Sequence, residues 1–385
     1  MRILHVGAMQ SPQVVDGVNA MVWQLAAAQA RSGLHVTLLI EREPDAMAHA
    51  VAEATGLQLV VARCSGWRYD GPTVDRLLSD QDLVHMHSVF VPQQATLARR
   101  MARIGLPYVI TPHGGLSPHV LHRGRARKWV YSLLAERPRF RQAAAVSVVV
   151  PGEADDVRAF APGYARPIKW IPNPIEQSQF ATDRWRHRPG ELRVAFLGRF
   201  DVLHKGLDLL WDIAAALPSV QFDLYGMADP RTADWFAELR SRGVANVHVK
   251  GPVFGEEKIA VLSAASLYLQ TSRWEGFPVS ITEAMFVGVP VAIADRLHIG
   301  RQFAEHDLGL TFPADAAVAA KVIEAALNDP ARLQRWSARA RAFAQEHFAV
   351  PAVTASFNAL YREALGQGAV GDAPAIAVPV ELVRS

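Results

Sequence analysis

Apolar runs of four to eight residues recur along the chain, each bounded by Gly, Pro or polar residues. Between them lie segments whose apolar positions fall three or four apart, the spacing of a helix face. Residues 2–7 read as a buried parallel strand. Residues 18–32 then read as a helix with Val18, Val22, Leu25 and Ala26 on one face, and Gly33 closes it before the strand 36–40. The same alternation predicts strands at 57–62, 82–88, 107–111, 143–150 and 168–175. After a polar stretch it resumes with strands at 192–198, 220–225, 246–249, 267–269 and 289–294. Helices are predicted over 207–216, 256–264, 280–287, 314–328, 331–346 and 353–365. Strand, helix, strand in repetition is the signature of α/β domains with parallel sheets.

A chain of 385 residues is long enough for two such domains. Half of it is hydrophobic, a fifth is charged and the formal net charge is +3, as in an ordinary soluble protein. The single cysteine, Cys64, excludes an internal disulfide and a multi-cysteine metal site, and fits a reducing compartment. No apolar run approaches the roughly 20 residues of a membrane span. The first residues lack the apolar core of a signal peptide, so the expectation is a cytoplasmic protein.

Candidate chemistry gathers at the carboxyl ends of predicted strands, where open α/β sheets bind ligands. The strand at 267–269 leads into a turn with Glu275, Gly276 and Pro278, and the helix that follows carries Glu283 in its second turn. Pro278 suits the first turn of that helix. Backbone N–H groups from Gly276 to Ser280 would attract an anion. Arg199 and Lys205 flank a loop that opens the helix at 207, good chemistry for a diphosphate. Gly17, at another helix start, lets backbone approach a phosphate. His113 stands at a strand's end among glycines. His85 and His87 share a strand face, but with no third ligand evident nearby, metal is the minor reading. Residues 122–141 are strongly basic. Arg123, Arg125, Arg127, Lys128, Arg137, Arg139 and Arg141 oppose only Glu136, beside an apolar stripe of Trp129, Val130, Leu133 and Leu134. Such a helix either lies on an anionic membrane or is simply solvated. No nucleic-acid-binding module accompanies it.

The stretch from Glu275 to Ala284 resembles the E-x7-E signature of the retaining glycosyltransferases of the GT-B fold, family 4. Other landmarks follow in the family's order over nearly the whole chain. They are Asp16-Gly17 (with Asp16 where the family has a first glycine), His85-Met86-His87, Thr111-Pro112-His113-Gly114, Ile171-Pro172-Asn173, Gly198-Arg199 and Lys205-Gly206. The resemblance implies two doubly wound Rossmann-like domains facing across a cleft. Residues 1–176 would form an acceptor-side domain, 177–191 a linker and 192–346 a nucleotide-sugar domain. Residues 347–365 would cross back as a helix, and 366–385 would form a poorly ordered tail.

By the same resemblance, His113 and Glu275 bind the transferred sugar as the catalytic pair. Gly17, Arg199, Lys205, Gly276, Phe277, Pro278 and Glu283 bind the donor, a UDP- or GDP-linked sugar. No metal or other cofactor is implied. The acceptor would be a glycan or lipid-linked glycan in exopolysaccharide or cell-envelope synthesis, reached at the inner face of the membrane through the basic helix 122–141. Two alternatives stand beside this reading. One is a non-catalytic sugar-nucleotide binder of the same fold, and the other is a sugar-nucleotide epimerase. A nicotinamide dehydrogenase is disfavoured, because no Gly-x-Gly-x-x-Gly follows the first strand.

Overall fold

A computed structural model of the chain describes residues 1–14, 16–117, 121, 129–180, 185–188, 190 and 192–367. The chain divides into two compact α/β units. One comprises Met1–Pro174 together with Val350–Ser385, and the other Ile175–Ala349.

The first unit is built on a seven-stranded sheet of order β3-β2-β1-β6-β7-β8-β9, from β1 (Arg2–Val6), β2 (His35–Ile40), β3 (Gln58–Val61), β6 (Leu83–His87), β7 (Tyr108–Thr111), β8 (Ala145–Val148) and β9 (Ile168–Trp170). Every pairing in it is parallel. A small hairpin, β4 (Cys64–Ser65) and β5 (Arg68–Tyr69), stands apart from it. Parallel strands are covered on both faces, which is why they read as continuous apolar runs. Leu4, Val6, Val84, Met86, Ile110, Val146 and Val148 pack on one face. Ile3, Val36, Leu38, Ile40, Leu83, Val109 and Ala145 pack on the other, against the helices Gly17–Arg31 and Val350–Ala364.

The second unit carries a six-stranded parallel sheet of order β12-β11-β10-β13-β14-β15. Its strands are β10 (Arg193–Leu197), β11 (Gln221–Tyr225), β12 (Val247–Lys250), β13 (Leu267–Gln270), β14 (Val291–Ala294) and β15 (Leu310–Phe312). In both sheets the strand order turns at a defined point, between β1 and β6 in the first and between β10 and β13 in the second. Crevices for ligands form there, outside the strands' carboxyl ends.

Several expectations change in detail. The described parts of 177–191 are packed on the second unit rather than left free. Phe180 stacks on Phe286, and the buried Trp185 donates its indole N–H to the Ala265 carbonyl at 2.7 Å. Burying each ring stabilises this attachment by roughly 2 kcal/mol. Residues 122–128, and with them Arg123, Arg125, Arg127 and Lys128, lie outside the described residues, as does the tail beyond Gln367. Within the rest of the basic segment, Arg139 is not on a solvated face. It is buried with Glu136, 3.2 Å away, and donates to the Ser88 carbonyl at 2.7 Å. A cation this deep persists only where carboxylate and carbonyl partners surround it. The apolar stripe, by contrast, faces outward: Trp129, Val130, Leu133 and Leu134 are all exposed.

Candidate active site

In the second unit the site residues stand at the sheet's switch point. The chain leaves β10 through Gly198, Arg199 and Phe200, and Asp201 then caps a one-turn helix, Val202–Lys205, by accepting from the His204 N–H. Gly206 follows with φ of +63° and begins the turn into the helix Leu207–Ala216. A Cβ here would collide with the Thr271 carbonyl just past β13, so only glycine lets the two loops meet. That close approach puts Lys205 beside the loop that follows β13. Its Nζ lies 2.6 Å from Glu275 Oε1, both side chains nearly buried.

The same Glu275 oxygen accepts from Ser272 Oγ at 2.6 Å and Gln270 Nε2 at 2.9 Å. Burial pushes the Glu275 carboxyl up. The adjacent Lys205 ammonium and these hydrogen bonds outweigh it and hold the group below its ordinary range, so it is a carboxylate at neutral pH. His204 stacks on Trp274 and faces the other Glu275 oxygen at 3.8 Å. Its Nε2 lies 2.9 Å from the Trp274 carbonyl, which requires a proton on that nitrogen. Burial keeps its pKa below the ordinary histidine value.

Glu283 lies in the helix Val279–Val287 and does not join this cluster. Its Oε1 accepts from Lys258 Nζ at 2.5 Å. The two acids of the signature thus hold separate lysines. Arg199 is more than half exposed and leans 3.4 Å from Asp229. Pro278 sits just before the helix rather than inside its first turn, and its carbonyl accepts the Thr282 N–H at 3.1 Å. Gly276 precedes it in an irregular turn. Phe277 packs edge-on against Phe348, and its carbonyl takes the Val279 N–H at 3.0 Å. A helix's first amides have no intrahelical partner, so those of Ser280 and Ile281 suit an anion.

In the first unit Gly17 opens the helix Gly17–Arg31, and nothing would crowd a Cβ placed on it. Asp16 caps the helix, its carboxylate accepting the Asn19 N–H at 2.8 Å. An aspartate is a good cap, and its negative charge sits at the positive end of that helix.

His113 follows β7 with φ of +54°, and Gly114 continues the turn at +75°. A left-handed conformation costs a histidine on the order of 1 kcal/mol. The buried Glu153 ties the turn down. Its Oε1 accepts the Gly114 N–H at 2.5 Å and its Oε2 the Val149 N–H at 2.9 Å. Burial pushes the Glu153 carboxyl up to about 7 against those two hydrogen bonds.

His113 belongs to a cluster of four histidines. On one face of the sheet, the positions Ile3, Leu83, Val109 and Ala145 are apolar. Two residues nearer the carboxyl edge on the same strands stand His5, His85, Thr111 and Ser147, with His87 beyond His85. Nearby, His5 Nδ1 lies 3.0 Å from His87 Nε2, and His87 Nδ1 lies 3.2 Å from His113 Nε2. His85 meets Tyr361 and Thr111 hydroxyls, each at 2.7 Å, and Thr111 in turn bonds Ser147. Burial lowers all four pKa values, to about 4 for His5 and about 3 for His113.

The expectation of no third ligand near His85 and His87 is corrected here. His5, on the strand paired with theirs, brings one nitrogen of each ring within 4.8 Å of the others. Both nitrogens of each of the three rings already have hydrogen-bond partners, which a cation would have to displace.

Sequence reasoning passed over His5, Gln29, Glu153, Gln270 and Ser272. Their polarity was visible, but only sheet order reveals that β1 lies beside β6, or that Glu153 reaches back to the β7 loop.

Residues 178–343 match the family described as Glycosyl transferases group 1, and residues 15–179 that described as Glycosyltransferase Family 4. The chain is 25% identical over 365 residues to a phosphatidyl-myo-inositol mannosyltransferase of Mycobacterium leprae (strain TN), covering 84% of this chain and 87% of that protein. Among solved structures, sucrose-phosphate synthase of Thermosynechococcus elongatus superposes with a TM-score of 0.73 at 21% identity, covering 95% of this chain and 100% of its own. HepE of Anabaena in complex with UDP gives 0.72 at 19% identity, over 94% and 99%. With two family matches running without a gap over residues 15–343 and two α/β units of the GT-B type, the chain belongs to the group 1 glycosyltransferases, family 4.

Proposed function

We propose that the chain is a retaining glycosyltransferase that moves a sugar from a UDP- or GDP-linked donor to a glycan or lipid-linked acceptor in exopolysaccharide or other cell-envelope synthesis. The observation that carries this reading is the nearly buried Lys205–Glu275 pair, 2.6 Å apart, at the switch point of the second sheet. Lys205 and Arg199 would hold the diphosphate, with the Gly276-Phe277-Pro278 turn and the Gly17 helix start offering amides. As the sugar departs, negative charge grows on that diphosphate, so fixed cations act most strongly in the transition state. These cations supply the positive charge that a divalent metal supplies in other transferases, and no other cofactor is invoked. Glu275 and His113 would bind the transferred sugar, and the second Glu283 oxygen the ribose hydroxyls. In a retaining reaction the leaving phosphate would accept the acceptor's proton.

The acceptor is proposed to be reached from the cytoplasm at the inner membrane face. Trp129, Val130, Leu133 and Leu134 form an exposed apolar stripe within a basic segment, and Trp67, itself exposed, meets Tyr131 edge-on. Apolar side chains among cations suit an anionic lipid surface. Among the described residues no helix is long and apolar enough to cross a membrane. The lipid acceptor in the name of the M. leprae relative supports the same reading.

Calorimetric titration of UDP and GDP tests the donor site. Glu283→Ala is expected to weaken binding of the preferred nucleotide by about 1–3 kcal/mol. Equal affinity in both proteins would remove Glu283 from the site.

A further inference from the structure

The histidine chain of the first unit has a direction, and one amide sets it. Gln29 is fully buried. Its Nε2 donates to Asn358 Oδ1 at 3.2 Å, which turns its Oε1 to His5 Nε2, 2.8 Å away. An amide oxygen can only accept, so the His5 proton sits on Nε2. Burial keeps this ring neutral at pH 7, which leaves its Nδ1 bare. The bare nitrogen faces His87 Nε2, which must therefore carry the proton of that ring. His87 Nδ1 is then bare and faces His113 Nε2, so that nitrogen is protonated in turn. At the end of the chain stands His113 Nδ1, deprotonated, buried and without a hydrogen-bond partner among the described residues.

We infer that Gln29, acting through His5 and His87, fixes His113 in the Nε2–H tautomer, so that its Nδ1 is an obligate acceptor for a hydroxyl of the transferred sugar. The sugar-facing half rests on the proposed role of His113; the tautomer itself does not. Gln29, His5 and His87 are positioning residues on this reading. If the Gln29 amide turned over, every proton in the chain would move to the opposite nitrogen. His113 would then present an N–H, which a hydroxyl can meet only by accepting. The site would then also admit groups that cannot donate, such as a carboxylate or an ether oxygen. Asn358 therefore matters at a distance, because its oxygen holds the Gln29 amide in one orientation.

The test is nitrogen NMR on full-length protein with labelled histidines, using two-bond N–H correlations that report which ring nitrogen carries the proton. Single His5→Gln, His87→Gln and His113→Asn variants assign the signals. At pH 7.5 all three rings are expected to show protonated Nε2 and bare Nδ1; an Nδ1–H on any of them would overturn the relay. Asn358→Asp leaves only acceptor oxygens beside Gln29 and should preserve the pattern, whereas a reversed pattern would show the amide orientation to be wrong. Gln29→Leu removes the anchor, and mixed tautomers are expected at His113. A single unchanged tautomer in that variant, with native circular dichroism, would end the role of Gln29. If Gln29→Leu does not fold, the Asn358→Asp result decides alone. With whichever of UDP-glucose and GDP-mannose the wild type turns over, kcat/KM in Gln29→Leu should fall about tenfold while affinity for the free nucleotide holds. Wild-type kcat/KM alongside mixed tautomers would refute the sugar contact and leave the relay standing.

Discussion

Lys205 and Glu275 share a nearly dry position, and each needs the other. Remove the ammonium, and the carboxylate loses its nearest counter-charge in a low-dielectric setting, where an unpaired charge is costly. Lys205→Ala is expected to raise the Glu275 pKa and to lower kcat/KM by about 10²–10³-fold, the scale of losing one oxyanion-stabilising group. The acidic limb of the pH–rate profile should move upward in the variant. A limb at the wild-type pH, with activity lost, would mean that Lys205 acts on substrate alone. Lys205→Arg should restore part of the rate, since a planar fork can reach both carboxylate and phosphate but cannot copy a point charge. His204, stacked on Trp274, approaches the other Glu275 oxygen at 3.8 Å.

Among the elements, the His113–Gly114 turn is governed by a helix that begins 40 residues later. Glu153 opens the helix Glu153–Phe160 and spends both carboxylate oxygens on loop amides. Its folded pKa, about 7, lies above the ordinary carboxyl value. Between about pH 4.5 and 7 the native carboxyl keeps a proton that the unfolded chain has released, so its contribution to stability declines as pH rises through that window. The full effect is about 3 kcal/mol at 1.4 kcal/mol per unit. Glu153→Gln should lack this component, seen as a smaller difference from wild type in urea midpoint at pH 8 than at pH 5. An unchanged gap would show that the carboxyl titrates normally.

Most strands were legible at this scale because parallel strands are apolar on both faces. The helix Leu207–Ala216 was read to the residue. The helices Ala46–Thr55 and Pro92–Ile104 were passed over, because alanine-rich faces give little contrast and Pro92 resembles a breaker where it in fact starts a helix. The turn Val202–Lys205 is too short for any periodicity. The apolar stripe at 129–134 was legible as a stripe, but periodicity cannot say whether such a face meets a core or solvent. The landmarks of the site could be read because they are local in sequence. The histidine cluster could not, because its members come from three segments that meet only through sheet order.

Across the whole molecule, four buried neutral histidines make the first unit sensitive to acid. The unfolded chain binds protons near pH 6.5, while His5, His85, His87 and His113 resist them until far lower. Stability should therefore fall as pH drops below about 6.5, with unfolding taking up close to four protons and Glu153 offsetting about one. Urea titrations at pH 7.5 and 5.5 measure this directly. The outward stripe makes a second prediction at the same scale. Trp129→Ser with Leu134→Ser should reduce sedimentation with anionic vesicles and leave nucleotide affinity untouched. Full vesicle binding by the double variant would remove the membrane surface from this face.

The first unit is assembled from two separate lengths of chain, and the later one supplies Phe357, Asn358 and Tyr361 to the histidine layer. A gene cut after codon 174 would therefore yield an open-faced fragment, whose helix Gly17–Arg31 has lost its neighbour and whose imidazoles stand in water. Adding the peptide 350–367 in trans, or fusing it by a glycine-rich tether, should rescue solubility where truncation alone cannot. Anyone wishing to isolate this half must splice the molecule rather than shorten it.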